Sequence, residues 1–248
     1  MIPARLGATR LPRKPLRLLA GSPLVIRVWQ RVTALGVADR CVIATDHPDV
    51  AAAARTAGAE CIMTSPHHPS GTDRVAEVAA RPEFKHYQVV VNIQGDEPFL
   101  PPNAVRGAIA MVTGSVFPIG TAASHAGRDA LASPQVVKVV CADDGRALYF
   151  SRAPIPFLRE ESDAPERDRL VRQHIGIYAY AAEALARWVA LPVHPLERIE
   201  RLEQLRPLAA GMPIGVSVVP EPLAGGIDTE DDLRRANERW PDLITERE

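Results

Sequence analysis

The sequence predicts an α/β fold built around a doubly wound mixed sheet. Short apolar segments alternate with amphipathic segments through the first hundred residues, at the spacing of βαβ crossover units. The 248 residues, 46% of them hydrophobic, can bury a full core without disulfides or metal ions. We expect one domain, with a first half at 1–133, a β-rich excursion at about 134–180 and a return to the core at 181–248.

Each element follows from local signals. Apolar runs bounded by turn residues predict strands at 1–3, 41–45, 60–63, 87–93, 136–141, 147–151, 174–180 and 214–219. Helical patterns predict helices at 22–35, 49–56, 72–80, 181–189 and 196–205, and a last helix with Thr229 and Asp232 at capping-box spacing. Asp144-Gly145 between two apolar runs predicts a hairpin, and 154–172 is predicted to be a long polar loop.

Composition excludes several classes of protein. A net charge of −1 argues against a general nucleic-acid binder. No window approaches 18 apolar residues and the basic N-terminus lacks an apolar core segment, so we expect neither a membrane span nor a signal peptide. Three cysteines without a C-x-x-C pair predict a reducing compartment, and hence a cytoplasmic protein.

Positive charge is concentrated at the N-terminus, where the first carboxylate is Asp39. Arg5, Arg10 and Lys14 lie on a loop rich in glycine and proline, after the first strand, at the sheet edge where open α/β sheets bind ligands. Neither G-x-G-x-x-G nor a Walker A motif is present. The loop is therefore either a binding site for a triphosphate or a solvated basic surface.

Two carboxylates are candidate ligands for Mg²⁺. Asp96 ends the strongest predicted strand, and Asp228 follows two glycines just ahead of the last helix. Mg²⁺ in proteins is held by one or two carboxylates together with phosphate oxygens. The alternatives are that Asp96 only forms a turn and that Asp228 only caps its helix.

Several blocks together resemble one family, the 3-deoxy-manno-octulosonate (Kdo) cytidylyltransferases. The blocks occur in the family's order: I-P-A-R-L-G-A-T-R-L-P-R-K-P-L at 2–16, A-T-D-H at 44–47, S-G-T-D-R at 70–74, N-I-Q-G-D-E-P at 92–98, A-L-Y-F-S-R at 147–152, H-I-G-I-Y-A-Y at 174–180, P-L-E-R-I-E-R-L-E-Q-L-R at 195–206 and G-I-D-T-E-D-D-L at 226–233. They cover nearly the whole chain, so the resemblance is specific.

The resemblance implies a GT-A-like nucleotidyltransferase fold, a homodimer formed through the β-rich excursion, and a Mg²⁺-dependent reaction of CTP with Kdo in lipopolysaccharide biosynthesis. Its implied roles are a catalytic and triphosphate-binding set of Arg5, Arg10 and Lys14, metal ligands Asp96 and Asp228, cytidine-side residues Ser70, Thr72, Arg74 and Gln94, and sugar-acid residues Arg152, His174, Glu203 and Gln204. The first half would bind CTP, and 181–248 would contribute to the sugar-acid and metal sites.

Two alternatives remain open for the function: an N-acylneuraminate cytidylyltransferase and a non-catalytic nucleotide-binding module. His174 and Glu203-Gln204 favour Kdo over the first, and the presence of both carboxylates disfavours the second. Considered without the resemblance, His174 is a candidate core histidine. One position departs from the family pattern: Arg13 stands where a glycine is usual, and a Cβ restricts positive φ there.

Overall fold

The computed structural model describes residues 1–7, 10–114, 116–220 and 225–240. The chain divides into two compact units, unit 1 from 1–85, 92–100 and 223–248, and unit 2 from 86–91 and 101–222. The strands are β1 (Ile2–Ala4), β2 (Leu18–Leu19), β3 (Ser22–Pro23), β4 (Val42–Thr45), β5 (Glu60–Met63), β6 (Val89–Asn92), β7 (Ile119–His125), β8 (Lys138–Cys141), β9 (Ala147–Ser151), β10 (Arg172–Ala181) and β11 (Ile214–Val219). The α-helices are α1 (Leu24–Ala34), α2 (Pro48–Thr56), α3 (Gly71–Ala79), α4 (Pro102–Thr113), α5 (Arg128–Ala132), α6 (Ala164–Leu170), α7 (Ala182–Ala190), α8 (Pro195–Glu200), α9 (Leu205–Ala209) and α10 (Glu230–Glu238).

Unit 1 contains a parallel sheet in the order β1-β4-β5. Every residue of β1 and β4 is buried, as expected for a parallel sheet covered on both faces. The chain returns beside β1 after β6, where the Ile93 amide donates to the Met1 carbonyl at 3.1 Å. The carboxyl ends of β1 and β4 and the segment after β6 therefore belong to the same unit, which is the arrangement that the βαβ spacing predicts.

Side-chain caps begin several helices of unit 1. His47 Nδ1 accepts from the amide of Asp49 at the start of α2, and Ser70 Oγ accepts from the amide of Asp73 at the start of α3. At α10 the predicted capping box of Thr229 and Asp232 is confirmed, with both reciprocal hydrogen bonds present.

Unit 2 contains a mixed sheet in the order β11-β7-β10-β8-β9, with β6 also paired to β10. β11 runs parallel to β7, whereas the β7–β10, β10–β8 and β8–β9 pairs are antiparallel. The predicted hairpin is confirmed as β8–β9. β10 carries an irregularity between Ile175 and Tyr178, where its register with β7 shifts.

The α/β class with mixed sheets is confirmed, but four local predictions are wrong. The helix predicted at 196–205 is two helices, because Arg201 adopts a left-handed backbone with φ 55°. The predicted loop at 154–172 contains α6, and the helix predicted from Ser22 begins at Leu24, since Ser22-Pro23 pairs as β3. The segment between Leu100 and Ser133, for which we predicted no elements, contains α4, α5 and β7. Within the described residues no helix is both long and apolar enough to cross a bilayer.

Candidate active site

Lys14 lies between the two predicted metal carboxylates. Its Nζ donates to Asp96 Oδ2 at 2.5 Å and to Asp228 Oδ1 at 2.7 Å, although every pair among the three residues is more than 80 positions apart in sequence. Arg10 Nη2 pairs with the second oxygen of Asp228, Oδ2, at 3.0 Å. The structure thus brings four of the predicted residues into one cluster in unit 1. Lys14 is buried, so the alternative of a wholly solvated basic loop is wrong for this residue.

The loop before Lys14 is shaped by one residue in an unusual conformation. Arg13 has φ 55° and ψ 31°, the left-handed region that favours glycine, and it precedes a short 3-10 helix at Lys14–Leu16. This explains why a glycine is usual at the position. Arg13 Nη2 also donates to Asp49 Oδ2 at 2.6 Å on the exposed surface of unit 1.

A hydrophobic cluster in unit 1 includes residues that are adjacent in sequence to the charged ones. It consists of Leu11, Leu19, Leu24, Phe99, Ile227, Leu233 and Ala236, with Trp240 packed against it. Leu11 follows Arg10 and Ile227 precedes Asp228, and both apolar side chains are almost completely buried. The charged side chains are therefore carried by backbone that the apolar core of unit 1 holds in place.

The backbone after Gly226 lies directly against the turn that carries Asp96. The Ile227 amide donates to the Asp96 carbonyl oxygen at 3.0 Å. A Cβ added to Gly226 would lie 2.8 Å from Glu97 Oε1, so a larger residue would have to displace that carboxyl group. Asp228 does not cap α10 with its side chain, because Thr229 is the N-cap. The capping alternative for Asp228 is therefore wrong.

The ionisation of the cluster follows from burial and neighbouring charge. Burial by itself lowers the pKa of Lys14, but the Coulombic attraction of Asp96 and the hydrogen bonds to both carboxylates outweigh it, so the pKa is raised and the ammonium stays charged. Burial and the neighbouring Asp96 carboxylate raise the pKa of Glu97 to about 8. Two cations therefore face two carboxylates, beside a glutamic acid that is largely protonated at neutral pH.

The predicted cytidine-side residues lie around the start of α3. Ser70 caps that helix, Thr72 is buried in its first turn, and Gln94 Nε2 donates to Asn92 Oδ1 at 3.3 Å. A Cβ on Gly71 would lie 3.4 Å from Gln94 Oε1, so the start of α3 and the residues after β6 are neighbours.

Arg74 has a supporting position instead of an exposed one. It is 2% exposed, its Nη2 donates to Asp46 Oδ2 at 2.8 Å, and its Nη1 donates to the Thr64 hydroxyl. It therefore connects α3 to the segments that follow β4 and β5. By contrast, Arg5 and Arg10 are exposed at the loop.

In unit 2, His174 is held on β10 as a neutral imidazole. Its Nε2 lies 3.0 Å from Thr121 Oγ1, and that hydroxyl donates its one proton to the Ile177 carbonyl at 2.7 Å, so Nε2 carries the imidazole proton. The ring packs edge-on against Phe150 and beside Tyr178. Burial lowers the pKa of His174 to about 3.

Arg152 is fixed by backbone carbonyl groups of unit 2. Its Nε donates to the Glu200 carbonyl at 2.8 Å and its Nη1 to the Pro134 carbonyl at 3.0 Å. The Glu200 carboxylate accepts from the Arg152 amide at 2.9 Å and from the Ser151 hydroxyl at 2.5 Å. α8 therefore holds the end of β9 through Glu200, a residue that our sequence analysis did not single out.

Glu203 and Gln204 lie between α8 and α9. Glu203 is half-buried and lies near Tyr178. The pKa of the Tyr178 phenol is raised mainly by burial, then by the neighbouring Tyr180, and then by the negative charge of Glu203. Gln204 is buried. The aromatic side chains of Tyr178 and Tyr180 stack on each other, and both meet Trp188 edge-on. Within unit 2, these aromatic residues therefore pack beside two of the predicted sugar-acid residues, His174 and Glu203.

Sequence reasoning missed four supporting residues: Asp46, Glu97, Thr121 and Glu200. Asp46 lies in the family block A-T-D-H and Glu97 in the family block Q-G-D-E-P, so membership of these blocks is the signal that could have indicated them. Thr121 and Glu200 act through contacts 53 and 49 residues away in sequence, so no local pattern indicates them.

The donor set of the cluster suits a cation that completes its coordination with substrate oxygens. Among the residues that the structure describes, no group of three or more His, Cys, Asp or Glu side chains could by itself hold a metal ion. Asp96 and Asp228 supply two carboxylates at one place, and Mg²⁺ is often bound by one or two carboxylates plus phosphate oxygens. The residues therefore fit Mg²⁺ held jointly with a nucleotide.

Fold and cluster define a nucleotidyltransferase of the cytidylyltransferase class, and residues 1–214 match the family model described as "Cytidylyltransferase". Over 97% of this chain and 93% of the relative, the chain is 64% identical to a 3-deoxy-manno-octulosonate cytidylyltransferase of Gemmatimonas aurantiaca. The corresponding protein of Neisseria meningitidis serogroup C is 45% identical over 95% of this chain and 94% of the relative. The chain belongs to the family of 3-deoxy-manno-octulosonate cytidylyltransferases.

A solved structure supports the same assignment. CMP:2-keto-3-deoxy-manno-octonic acid synthetase in complex with CTP matches with a TM-score of 0.89 and 35% identity, over 97% of each chain. This likeness covers both units and confirms the predicted fold class.

Proposed function

We propose that this protein transfers the cytidylyl group of CTP to 3-deoxy-D-manno-octulosonate, releasing pyrophosphate, as a cytoplasmic step of lipopolysaccharide biosynthesis. The observation that supports it most is the cluster of Lys14, Arg10, Asp96 and Asp228 in a chain of this family. The cluster combines cations for a triphosphate with carboxylates for a metal ion, and nucleotidyl transfer needs both.

The reaction is an in-line displacement at phosphorus. The anomeric hydroxyl oxygen of the sugar acid forms a bond to the α-phosphorus of CTP, the bond from that phosphorus to the α,β-bridging oxygen breaks, and the hydroxyl proton is lost to solvent. Negative charge accumulates on the α-phosphate oxygens and on the departing pyrophosphate. Catalysis therefore depends mainly on position and charge neutralisation, which Lys14 and Arg10 supply to the triphosphate.

Mg²⁺ dependence is part of the proposal. Asp96 and Asp228 would hold the ion, and when bound it would supply positive charge to phosphate and sugar-acid oxygens and lower the pKa of a coordinated hydroxyl. The hydrogen bond from the Ile227 amide to the Asp96 carbonyl oxygen fixes the backbone of that ligand and limits its freedom to move. His174 remains neutral, so it is proposed as a hydrogen-bonding partner of the sugar acid and not as a cation.

The proposed cytidine selectivity depends on Ser70, Thr72 and Gln94 beside α3. Arg74 would act indirectly, by holding the loop after β5 through its contacts with Asp46 and Thr64. Arg152, Glu203 and Gln204 would serve the sugar acid from unit 2, where Glu200 fixes the backbone of Arg152.

We also propose a homodimer formed through the β-rich segment at about 134–180. Large apolar side chains are exposed there: Leu148 is 51% exposed, Phe157 84% and Leu170 54%. Exposed large apolar side chains are a common feature of protein interfaces, and these three lie in the segment that we propose to form this one. Light scattering on the wild type and on Phe157→Ser tests this, since the wild type should have twice the monomer mass and the variant should dissociate on dilution. A monomeric wild type would contradict it.

The test of the reaction is pyrophosphate release with a panel of substrates. CTP with Kdo and Mg²⁺ should give rapid release, whereas CTP alone, CTP with N-acetylneuraminate, and UTP, ATP or GTP with Kdo should give little. Equal rates with CTP and ATP would refute the nucleotide assignment. Faster release with N-acetylneuraminate than with Kdo would indicate an N-acylneuraminate cytidylyltransferase instead. No release with any sugar would indicate a non-catalytic nucleotide-binding module.

A further inference from the structure

The ammonium of Lys14 occupies the carboxylate oxygens that the proposed metal site requires. Lys14 Nζ contacts Asp96 Oδ2 at 2.5 Å and Asp228 Oδ1 at 2.7 Å, while Arg10 contacts Asp228 Oδ2 at 3.0 Å. Three of the four oxygens of the two carboxylates are thus in contact with a cationic side chain. Two positive charges balance two negative charges, and such a neutral cluster attracts a divalent cation weakly.

A metal ion and the ammonium compete for the same positions. Mg²⁺ binds oxygen at roughly 2.0–2.1 Å and requires near-octahedral geometry, so it would need the lone pairs that Lys14 now engages. The side chain of Lys14 is only 10% exposed, so its charge is not easily returned to water. When it leaves the carboxylates, it needs another anion, and a triphosphate bound at the same loop is one.

We infer that Lys14, with Arg10, is an exchangeable counter-ion that makes divalent-cation binding depend on the nucleotide. The side chains neutralise Asp96 and Asp228 until a triphosphate takes over their positive charge, and the carboxylates then bind the metal ion. By linkage the metal ion strengthens triphosphate binding by the same factor. The inference rests on the proposed function, and it adds a second role for Lys14 besides its contact with the substrate.

Titration with Mn²⁺ in the absence of nucleotide, followed by electron paramagnetic resonance, tests the competition. Lys14→Met should bind Mn²⁺ at least about 10-fold more tightly than the wild type, because the carboxylates lose their competing cation. Arg10→Met should shift the affinity in the same direction by a smaller factor, since Arg10 contacts one carboxylate and is exposed. Arg17→Met is the matched control: it also removes one positive charge near the loop, but its partner is Glu230.

The outcomes separate this inference from the proposed function. Weaker or unchanged Mn²⁺ binding by Lys14→Met overturns the inference, as does an equal gain in Arg17→Met. If adding Asp96→Asn to Lys14→Met leaves the Mn²⁺ affinity unchanged, the metal assignment in the proposed function fails instead. Arg10→Met, whose side chain is 62% exposed, keeps the test valid if Lys14→Met does not fold.

A second measurement needs no variant, because the chain has three lysines, Lys14, Lys85 and Lys138. In protein labelled with ¹⁵N-lysine, the side-chain resonance of Lys14 should move when Mg²⁺ is added to the complex with a non-hydrolysable CTP analogue, relative to Mg²⁺ alone. The exposed Lys85 should not respond. The inference is overturned if the Lys14 resonance is the same with and without the CTP analogue, or if Mg²⁺ alone at the same concentration moves it as far as Mg²⁺ together with the analogue.

Discussion

Replacing Asp228 by asparagine separates metal binding from every structural role of the residue. Asparagine keeps the size of aspartate and one acceptor oxygen, but it carries no charge. If Asp228 is a ligand of the catalytic metal ion, kcat/KM for pyrophosphate release should fall roughly 10²–10⁴-fold, on the order of 3–5 kcal/mol of transition-state stabilisation.

The structure predicts a much smaller effect on stability. The Asp228 side chain is 46% exposed, and one of its partners, Arg10, is 62% exposed, so the pair contributes at most about 1 kcal/mol to the free energy of unfolding. Lys14 keeps its contact with Asp96 in the variant. For a chain of this length, a loss of about 1 kcal/mol lowers the melting temperature by roughly 2–4 °C.

Two neighbouring aspartates provide the controls. Asp231→Asn removes the same charge from an exposed position in the first turn of α10 and should change neither property. Asp232→Asn breaks the capping box, so it should lower the melting temperature more than Asp228→Asn while keeping far more activity. Steady-state pyrophosphate release across a Mg²⁺ titration, with a melting curve for each variant, measures both quantities. Wild-type kcat/KM in Asp228→Asn would refute the ligand assignment.

Three further predictions concern residues outside the cluster. Lys138→Met should lower the melting temperature by about 6–12 °C, because three partly buried backbone carbonyls lose their common donor at a cost of about 3 kcal/mol, whereas Lys85→Met should leave it unchanged. Arg13→Gly should raise the melting temperature by less than about 2–4 °C, since the steric cost of about 1 kcal/mol that glycine removes at φ 55° is partly offset by the lost exposed pair with Asp49 and by the greater chain entropy of glycine; a lower melting temperature would contradict this. Burial lowers the pKa of His174 to about 3 from 6.5, so below pH 6.5 the unfolded chain binds a proton that the folded chain excludes, and stability should fall toward pH 3 by roughly 1.4 kcal/mol per pH unit. Urea unfolding of the wild type and of His174→Gln at several pH values measures this loss of stability. If the free energy of unfolding has the same pH dependence in both proteins, the prediction is wrong.

Local sequence signals were sufficient for the parallel sheet and the charged loop of unit 1. The predicted strand at 60–63 agrees with β5, and the one at 41–45 agrees with β4 to within one residue, because each apolar run ends at clear turn residues. The cluster was also predictable, since Lys14 follows β1 and Asp96 follows the segment in which the Ile93 amide donates to the Met1 carbonyl, beside β1 in the same unit. The positive φ of Arg13 confirms the conformation that a family glycine indicated.

Features set by distant contacts were not predictable. The break between α8 and α9 depends on Arg201 adopting φ 55° while Glu197 forms a buried pair with Arg206, at 2.6 and 2.7 Å. Residue spacing alone would place Glu197 on a solvated helix face, with Arg201 four residues later as its partner. Likewise, the burial of Arg74 against Asp46 is visible only in the structure. Arginine side chains are usually exposed, so the sequence gives no reason to expect this one to be buried.

Phosphorus NMR of the complete reaction examines the proposed chemistry without reference to any variant. In a mixture of the protein, CTP, Mg²⁺ and Kdo, the three resonances of CTP should be replaced by one phosphodiester resonance of a cytidylyl sugar acid and by pyrophosphate, in a ratio of one product molecule to one pyrophosphate. Without the sugar acid, CTP should persist. Unchanged CTP in the complete mixture, or its conversion to free CMP and pyrophosphate with no phosphodiester, would contradict the assignment of this protein as a Kdo cytidylyltransferase.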